Sequence, residues 1–145
     1  MQIRRVLVVC VGNICRSPVG EYLLRQRVPG LEVRSAGLGA LVGHPADGMA
    51  AKVAAANGVS LDGHVARQFT PDLGTSYDAI LVMEAGHKRE IARLSAPLSG
   101  RTLLLSQWTG RHDIADPYRR SPEFHQSVFE QIRDACDAWA ARLKR

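Results

Sequence analysis

The chain has 145 residues, of which 46% are hydrophobic and 23% charged, a length and balance typical of one compact domain. This composition excludes an intrinsically disordered chain, and three cysteines are too few for a disulfide scaffold. Nineteen Lys and Arg residues against 14 Asp and Glu residues give a net charge of +5, which favours an anionic partner. The aromatic residues do not alternate with the basic ones as a base-stacking surface requires, so nucleic acid is not expected.

Neither a membrane span nor an export signal is evident in the sequence. No stretch approaches the ~18 uncharged apolar residues of a membrane span. The first apolar run, residues 6–11, is too short for the apolar region of a signal peptide. We therefore expect a single domain over residues 1–145, located in the cytoplasm and not inserted into a membrane.

Along the chain, β-branched runs alternate with amphipathic segments. The predicted strands are residues 3–9, 31–35, 79–83 and 101–105. The predicted helices are residues 19–27, opened by Ser17 with Pro18 at the first helical position, then 47–57, 87–94 and a last one from about Ser121. This alternation predicts an α/β fold, a three-layer sandwich with a central four-stranded parallel sheet flanked by helices on both faces. Such sheets bind ligands beyond the carboxyl ends of their strands.

The loop after the first strand has the composition of an anion site. Its sequence is Cys10-Val11-Gly12-Asn13-Ile14-Cys15-Arg16-Ser17-Pro18. Gly12 and Asn13 tolerate left-handed backbone, which a tight loop with inward-pointing amides needs. These amides and the helix start form a concave phosphate site, to which Arg16 adds a planar fork for two oxygens. We expect phosphate to be bound by Val11, Gly12, Asn13, Ile14, Cys15, Arg16 and Ser17.

Cys10 lies at the end of the strand, where its sulfur is expected beneath a bound phosphate. Electropositive surroundings favour the thiolate form of a cysteine, and Ser17 is placed to donate its hydroxyl to that sulfur. A thiolate aimed at phosphorus predicts phosphoryl transfer through a phosphocysteine. The leaving oxygen then needs a proton, for which Asp116 is the best candidate, because Pro117 keeps it on an extended loop after the fourth strand.

Together these two motifs resemble the signatures of the low-molecular-weight protein tyrosine phosphatases. The resemblance extends over nearly the whole chain, through Ser35-Ala36-Gly37, Gly63-His64-Val65-Ala66-Arg67-Gln68 and Tyr77-Asp78-Ala79-Ile80-Leu81-Val82-Met83-Glu84. Residues 35–43 and Asp47 are most similar to the bacterial members that are paired with tyrosine autokinases of capsule and exopolysaccharide export. The resemblance therefore implies that the partner is a phosphotyrosine protein, the cytoplasmic domain of a membrane tyrosine kinase, with inorganic phosphate as the product.

The resemblance also implies roles for individual residues. Cys10 would be the nucleophile, Arg16 the clamp on phosphate and transition state, and Asp116 the general acid and then base. Tyr118 would form a wall of the substrate cleft, and Leu41 stands where eukaryotic members carry an aromatic wall. Positions that hold the loop by hydrogen bonds in the family are occupied by Asn13, Ser17, Ser35 and His64. The family uses neither a metal nor another cofactor, and none is expected.

Several alternatives share parts of this pattern. Arsenate reduction on the same scaffold needs extra cysteines, and residues 83–94, where that sub-family carries them, contain none. Phosphoarginine phosphatases resemble this chain but have threonine at the position of Ile14, whose aliphatic side chain favours a flat phenyl ring. A non-catalytic anion-binding module would bind without turnover. The glycines of residues 37–43 do not match the spacing of a dinucleotide loop.

The two remaining cysteines have different expected roles. Cys136 falls on the apolar stripe of the last helix, which predicts a core position. Cys15 is either a packed loop residue or, as the family suggests, a redox partner. In the second role, it would condense with oxidised Cys10 and protect it from irreversible oxidation.

Overall fold

A computed structural model describes residues 2–144, and within them four strands form one parallel sheet in the order β2-β1-β3-β4. The strands are β1 Arg5–Cys10, β2 Glu32–Gly37, β3 Ala79–Val82 and β4 Thr102–Leu104. The helices are α1 Arg16–Arg27, α2 Gly48–Ala56, α3 Pro71–Thr75, α4 Ala85–Leu94 and α5 Pro122–Leu143. The predicted α/β sandwich is confirmed.

Strand β1 is buried on both faces, which explains why it has no polar alternation. Val6 and Val8 belong to the apolar core beneath α1, α2 and α5. Leu7 and Val9 face the second core, on the side of α4. All four side chains are at most 1% exposed, as expected for a central strand of a parallel sheet that is covered on both sides.

The order of the strands places the functional loop. From β1 the chain crosses to β2 on one side, and β3 then pairs with the other side of β1. The carboxyl end of β1 is therefore the point where neighbouring connections diverge, which is where open α/β sheets form their binding crevices. Cys10 is the last residue of β1 and lies opposite Gly37, the last residue of β2.

The boundary of α1 differs from the sequence prediction. The helix begins at Arg16, so Pro18 is its third residue and not its first. Proline is tolerated there because the amides of the first helical turn have no partner inside the helix. The earlier start places Arg16 inside the helix. Its side chain is thereby fixed to a rigid element.

Helix α3 was missed by the sequence prediction, whereas α5 was found. Five residues are too few to show helical periodicity, although Thr70 caps α3 by accepting a hydrogen bond from the Leu73 amide at 3.1 Å. In α5 the predicted stripe is buried, and Cys136 is fully buried in the core as expected. None of the helices within residues 2–144 is long and apolar enough to cross a membrane.

Candidate active site

Loop 10–16 curves around a concavity because its carbonyl groups point away from it and accept hydrogen bonds from neighbouring segments. Amides of residues 38–47 and the His64 ring donate hydrogen bonds of 2.6–3.0 Å to five successive carbonyls, those of Cys10, Val11, Gly12, Asn13 and Ile14. In a trans peptide the N–H points opposite to the carbonyl, so the amides of residues 11–15 face the concavity. This is the geometry of an anion-binding nest.

At the base of the concavity, Cys10 Sγ lies 2.9 Å from Ser17 Oγ. The Asn13 side-chain amide donates to the same Ser17 oxygen at 2.8 Å, which leaves the hydroxyl proton of Ser17 free to point at sulfur. A hydroxyl donating to sulfur stabilises the thiolate more than the thiol, because a hydrogen bond to a charged acceptor is the stronger one.

Asn13 is the central residue of the network that supports the loop. Its backbone has φ 59, in the left-handed region, and its side chain is fully buried. Beyond Ser17, the Asn13 side-chain amide donates to Ser35 Oγ at 3.0 Å and its oxygen accepts from the Arg67 amide at 2.9 Å. The Asn13 carbonyl accepts from His64 Nε2 at 2.6 Å. One side chain therefore joins loop 10–16 to β2 and to the segment around residue 67.

Arg16 is almost completely buried, with 2% of its surface exposed. Its Nη1 donates to the Glu84 carboxylate at 2.5 Å and to the Ile114 carbonyl at 2.8 Å. These contacts use both N–H groups of Nη1 and fix the plane of the guanidinium. The Nη2 atom lies 3.9 Å from Asp116 Oδ2, which places the predicted acid beside the predicted clamp.

A cleft of about 160 Å³ opens above Cys10. Asp116 lies at its edge, is about half exposed, and accepts a hydrogen bond from the Tyr118 amide at 3.0 Å through Oδ1. The residues that line this cleft are Cys10, Val11, Gly12, Ile14, Cys15, Arg16, Leu41, Asp116 and Tyr118. The structure thus brings the predicted nucleophile, clamp, acid and cleft residues together. A larger groove of about 550 Å³ between α2 and α5 contains no cysteine.

Comparison with known proteins gives a match over residues 5–145 to the family described as low molecular weight phosphotyrosine protein phosphatase. The chain belongs to this family. It is similar to low molecular weight protein-tyrosine-phosphatase Etp of Escherichia coli strain K12, with 46% identity over 100% of this chain and 98% of the relative. These matches confirm the resemblance that the loop and acid motifs predicted.

Solved structures agree with this assignment. The tyrosine phosphatase Wzb from Escherichia coli K30 in complex with sulphate superposes with a TM-score of 0.96 and 44% identity, covering 98% of this chain and 99% of that chain. The arginine phosphatase YwlE from Geobacillus stearothermophilus is also similar, with a TM-score of 0.91 and 31% identity over 97% and 92% of the two chains. The scaffold of this phosphatase is therefore shared by enzymes with two substrate classes.

One conformational expectation for the phosphatase loop was wrong. Asn13 adopts the left-handed backbone, but Gly12 does not have a positive φ. A Cβ at Gly12 would also meet only Ile14 Cγ1, at an ordinary 3.6 Å. The close approach is instead at Gly37, where a Cβ would lie 2.3 Å from the Val11 carbonyl oxygen. A glycine is needed on β2 so that the loop can pack against it.

Two acidic residues that support the phosphatase site were not predicted from the sequence. Glu21 is buried on α1, accepts a 2.5 Å hydrogen bond from Ser35 Oγ and forms an ion pair with Arg25. Glu84 holds the guanidinium of Arg16. Glu21 lies one helical turn after the loop, and Glu84 lies 68 residues after Arg16. Nothing in their sequence spacing distinguishes either of them from a solvated surface charge.

Burial changes the ionisation of two side chains near the cleft of the phosphatase. It raises the pKa of the Cys15 thiol well above its usual range, and the charges of Asp47 and Asp116 raise it further. Cys15 is therefore a neutral thiol at pH 7. Burial also lowers the pKa of His87, as does the positive charge of Arg16, so the ring beside Glu84 is neutral.

We expect Glu84→Ala to lower kcat about tenfold with a smaller change in KM, because the buried Arg16 guanidinium loses the carboxylate that orients it. Glu84→Gln, which keeps an acceptor oxygen, should give an intermediate kcat. Steady-state kinetics on p-nitrophenyl phosphate measures both parameters. Glu90→Gln is the matched control, since Glu90 lies on α4, the helix that Glu84 immediately precedes, but pairs with the exposed Arg93. An effect on KM alone would contradict a positioning role.

Proposed function

We propose that this phosphatase hydrolyses protein phosphotyrosine in two steps through a phosphocysteine. The observation that supports the proposal most directly is the position of Cys10 Sγ. It contacts Ser17 Oγ and lies beneath loop 10–16, in which five successive carbonyls accept hydrogen bonds on the side away from the cleft. The amides that face the cleft and the guanidinium of Arg16 suit the equatorial oxygens of a phosphoryl group in its transition state.

In the first step, the Cys10 thiolate attacks phosphorus, an S–P bond forms and the bond to the phenolic oxygen breaks. Asp116 donates its proton to that oxygen, and tyrosine leaves. In the second step, Asp116 accepts a proton from water, which attacks phosphorus and breaks the S–P bond. Inorganic phosphate leaves and the thiolate is restored. The 3.9 Å between Arg16 Nη2 and Asp116 Oδ2 supports this role, because it keeps the carboxyl group beside the guanidinium proposed to bind the phosphoryl oxygens.

The walls of the cleft favour an aromatic leaving group. Ile14 and Leu41 are aliphatic, and Tyr118 offers an aromatic face on which a phenyl ring can stack. A phosphoarginine side chain would place a polar guanidinium against the same surfaces, where its N–H groups need acceptors. We therefore propose phosphotyrosine over phosphoarginine, although both substrate classes occur on this scaffold.

We further propose that the protein acts in the cytoplasm on the phosphorylated cytoplasmic domain of a membrane tyrosine kinase involved in exopolysaccharide or capsule export. The similarity of residues 35–43 to the bacterial members paired with such kinases supports this. Arsenate reduction is not favoured, because of the three cysteines only Cys10 and Cys15 line the cleft, and Cys136 is buried in α5.

Competing substrates in the presence of EDTA test the proposed function. We expect metal-independent hydrolysis of p-nitrophenyl phosphate, and at least about tenfold higher kcat/KM for a phosphotyrosine peptide than for a phosphoarginine peptide of the same sequence. In Ile14→Thr the ratio should move towards phosphoarginine. Faster hydrolysis of phosphoarginine by the unaltered chain would overturn the substrate assignment. Binding of phosphate without any turnover would point to an anion-binding module.

We expect Cys15→Ser to recover less activity than the unaltered chain when peroxide-treated enzyme is reduced with thiol. Without the Cys15 thiol, a sulfenic acid on Cys10 cannot condense to a disulfide with loss of water, and it oxidises further to an irreversible state. Activity after recovery is measured relative to the initial turnover of each variant. Cys136→Ser is the control, because that sulfur is in the core. Equal recovery in all three proteins would remove the redox role of Cys15.

A further inference from the structure

The rim of the cleft carries an arginine with an unusual backbone conformation. Tyr118 lines the cleft, and the guanidinium carbon of Arg119 lies 5.1 Å from the centre of the Tyr118 ring, within the range of a cation–π contact. Arg119 is exposed and has φ 62, in the left-handed region that glycine and asparagine adopt more readily. Non-glycine residues held in this region cluster at ligand-binding sites.

Among the residues that the structure describes, none neutralises the charge of Arg119. Within residues 2–144, no carboxylate oxygen lies within 4.0 Å of its guanidinium nitrogens, whereas Arg27 and Arg93 on the surface each have an acidic partner. Stacking on a tyrosine ring leaves the edge of a guanidinium, with its N–H groups, free to donate to another acceptor. The edge of Arg119 is therefore available to an anionic ligand.

The segment that carries Arg119 is held in a defined position. The Tyr118 amide donates to Asp116 Oδ1 at 3.0 Å, and the Arg120 amide donates to the Pro117 carbonyl at 2.9 Å, which closes a turn over residues 117–120. Arg119 directly follows Tyr118, which lines the cleft, and it is three residues after Asp116, the proposed acid. This turn therefore holds Arg119 at the rim of the cleft. Leu41, another residue that lines the cleft, is apolar and 40% exposed.

We propose that Arg119 selects phosphotyrosine sites in which the neighbouring residue carries a second anionic group, a carboxylate or a phosphate. This rests on the proposed function, since a phosphotyrosine ring stacked on Tyr118 brings the peptide backbone to the rim. There the side chain next to the phosphotyrosine reaches the free edge of Arg119. An exposed charge pair contributes modestly, so the preference is several-fold, and it falls as salt screens the charges.

The test compares kcat/KM for three phosphotyrosine peptides that differ only in the neighbouring residue, which is glutamine, glutamate or phosphoserine. One set places it before the phosphotyrosine and a second set after it, and release is followed at the tyrosine. We expect about a two- to fivefold preference for glutamate over glutamine in at least one set, the range of an exposed charge pair, and a larger one for phosphoserine, whose charge is about −2. Raising the salt concentration should reduce the preference for glutamate and the preference for phosphoserine.

Two variants assign the preference to Arg119. Arg119→Asn removes the charge with a side chain that suits left-handed backbone, and we expect all three peptides to become equivalent; Arg119→Lys should retain the order. Arg111→Asn is the matched control, because Arg111 has φ 54 and does not line the cleft, and it should keep the preference.

The outcomes separate this proposal from the proposed function. Equal kcat/KM for all peptides in the unaltered protein, or a preference that survives Arg119→Asn or disappears equally in Arg111→Asn, overturns the role of Arg119 while phosphotyrosine hydrolysis stands. Absence of tyrosine dephosphorylation in every peptide, measured beside p-nitrophenyl phosphate, overturns the proposed function and this proposal with it.

Discussion

Replacing Cys10 with serine is expected to lower turnover of p-nitrophenyl phosphate by at least about 10⁴-fold while the protein still folds and binds phosphate. The serine hydroxyl is a far weaker nucleophile than a thiolate, and the contact with Ser17 that stabilises the sulfur anion does not activate a hydroxyl. The amides of the loop and Arg16 remain, so the affinity for phosphate should change little. Steady-state kinetics and calorimetric titration with inorganic phosphate measure the two properties.

Cys136→Ser is the control for this result, because it removes a sulfur that is buried in the core and contacts the Gly20 carbonyl at 3.7 Å. Its turnover should stay close to that of the unaltered chain if it folds, which circular dichroism verifies. Retention of more than about 1% of turnover in Cys10→Ser would mean that sulfur is not the nucleophile. Loss of phosphate binding together with turnover would mean that the substitution disrupts the loop.

Asp116→Asn is expected to lower kcat about 10²- to 10³-fold for a phosphotyrosine peptide, because the leaving phenolic oxygen loses its proton donor. The loss should be smaller for p-nitrophenyl phosphate, whose nitro group stabilises the departing anion. Hydrolysis of the phosphocysteine also loses its base. A rapid burst of one p-nitrophenolate per enzyme should therefore precede slow turnover, as stopped-flow absorbance can measure.

Asp113→Asn is the matched control for the acid. Asp113 lies in the same segment, but its carboxylate accepts a hydrogen bond from the Ala85 amide at 2.9 Å, and an asparagine oxygen can keep that bond. We expect kcat within about threefold of the unaltered chain, as for a surface substitution. Equal losses for Asp113→Asn and Asp116→Asn, or an equal loss on both substrates in Asp116→Asn, would contradict the acid role of Asp116.

Much of the fold could be predicted because its signals are local. The β-branched run that becomes β1 has no polar alternation, and the apolar stripe of α5 recurs at helical spacing, so their types follow from periodicity. The observed ends of the helices and strands differ from the predicted ends by a few residues, because tertiary contacts determine where an element ends. Helix α1 begins at Arg16, two residues before Pro18; a proline is accepted anywhere in the first turn and so does not fix the first helical residue.

Loop 10–16 could also be predicted because its signals are local, whereas the acidic residues that support it could not. Cysteine, asparagine, arginine and serine occur within a few residues of one another and in the order that a strand, an anion loop and a helix require. Glu84 is 68 residues from Arg16, and Glu21 is 14 residues from Ser35, and each contact depends on how β2 and β3 pair with β1. The spacing of residues along the sequence does not reveal these contacts, because the pairing of the strands brings the residues together.

The outward hydrogen bonds of loop 10–16 imply that the site cannot unfold locally. Five successive carbonyls are held by residues 38–47 and His64, and Asn13 is fully buried. Freeing the loop would break these bonds together and expose the end of the central strand, an opening close in free energy to global unfolding. The amides within residues 38–47 that donate these bonds should therefore belong to the slowest class in hydrogen exchange. In a denaturant titration, catalytic activity and tertiary structure should be lost in the same transition.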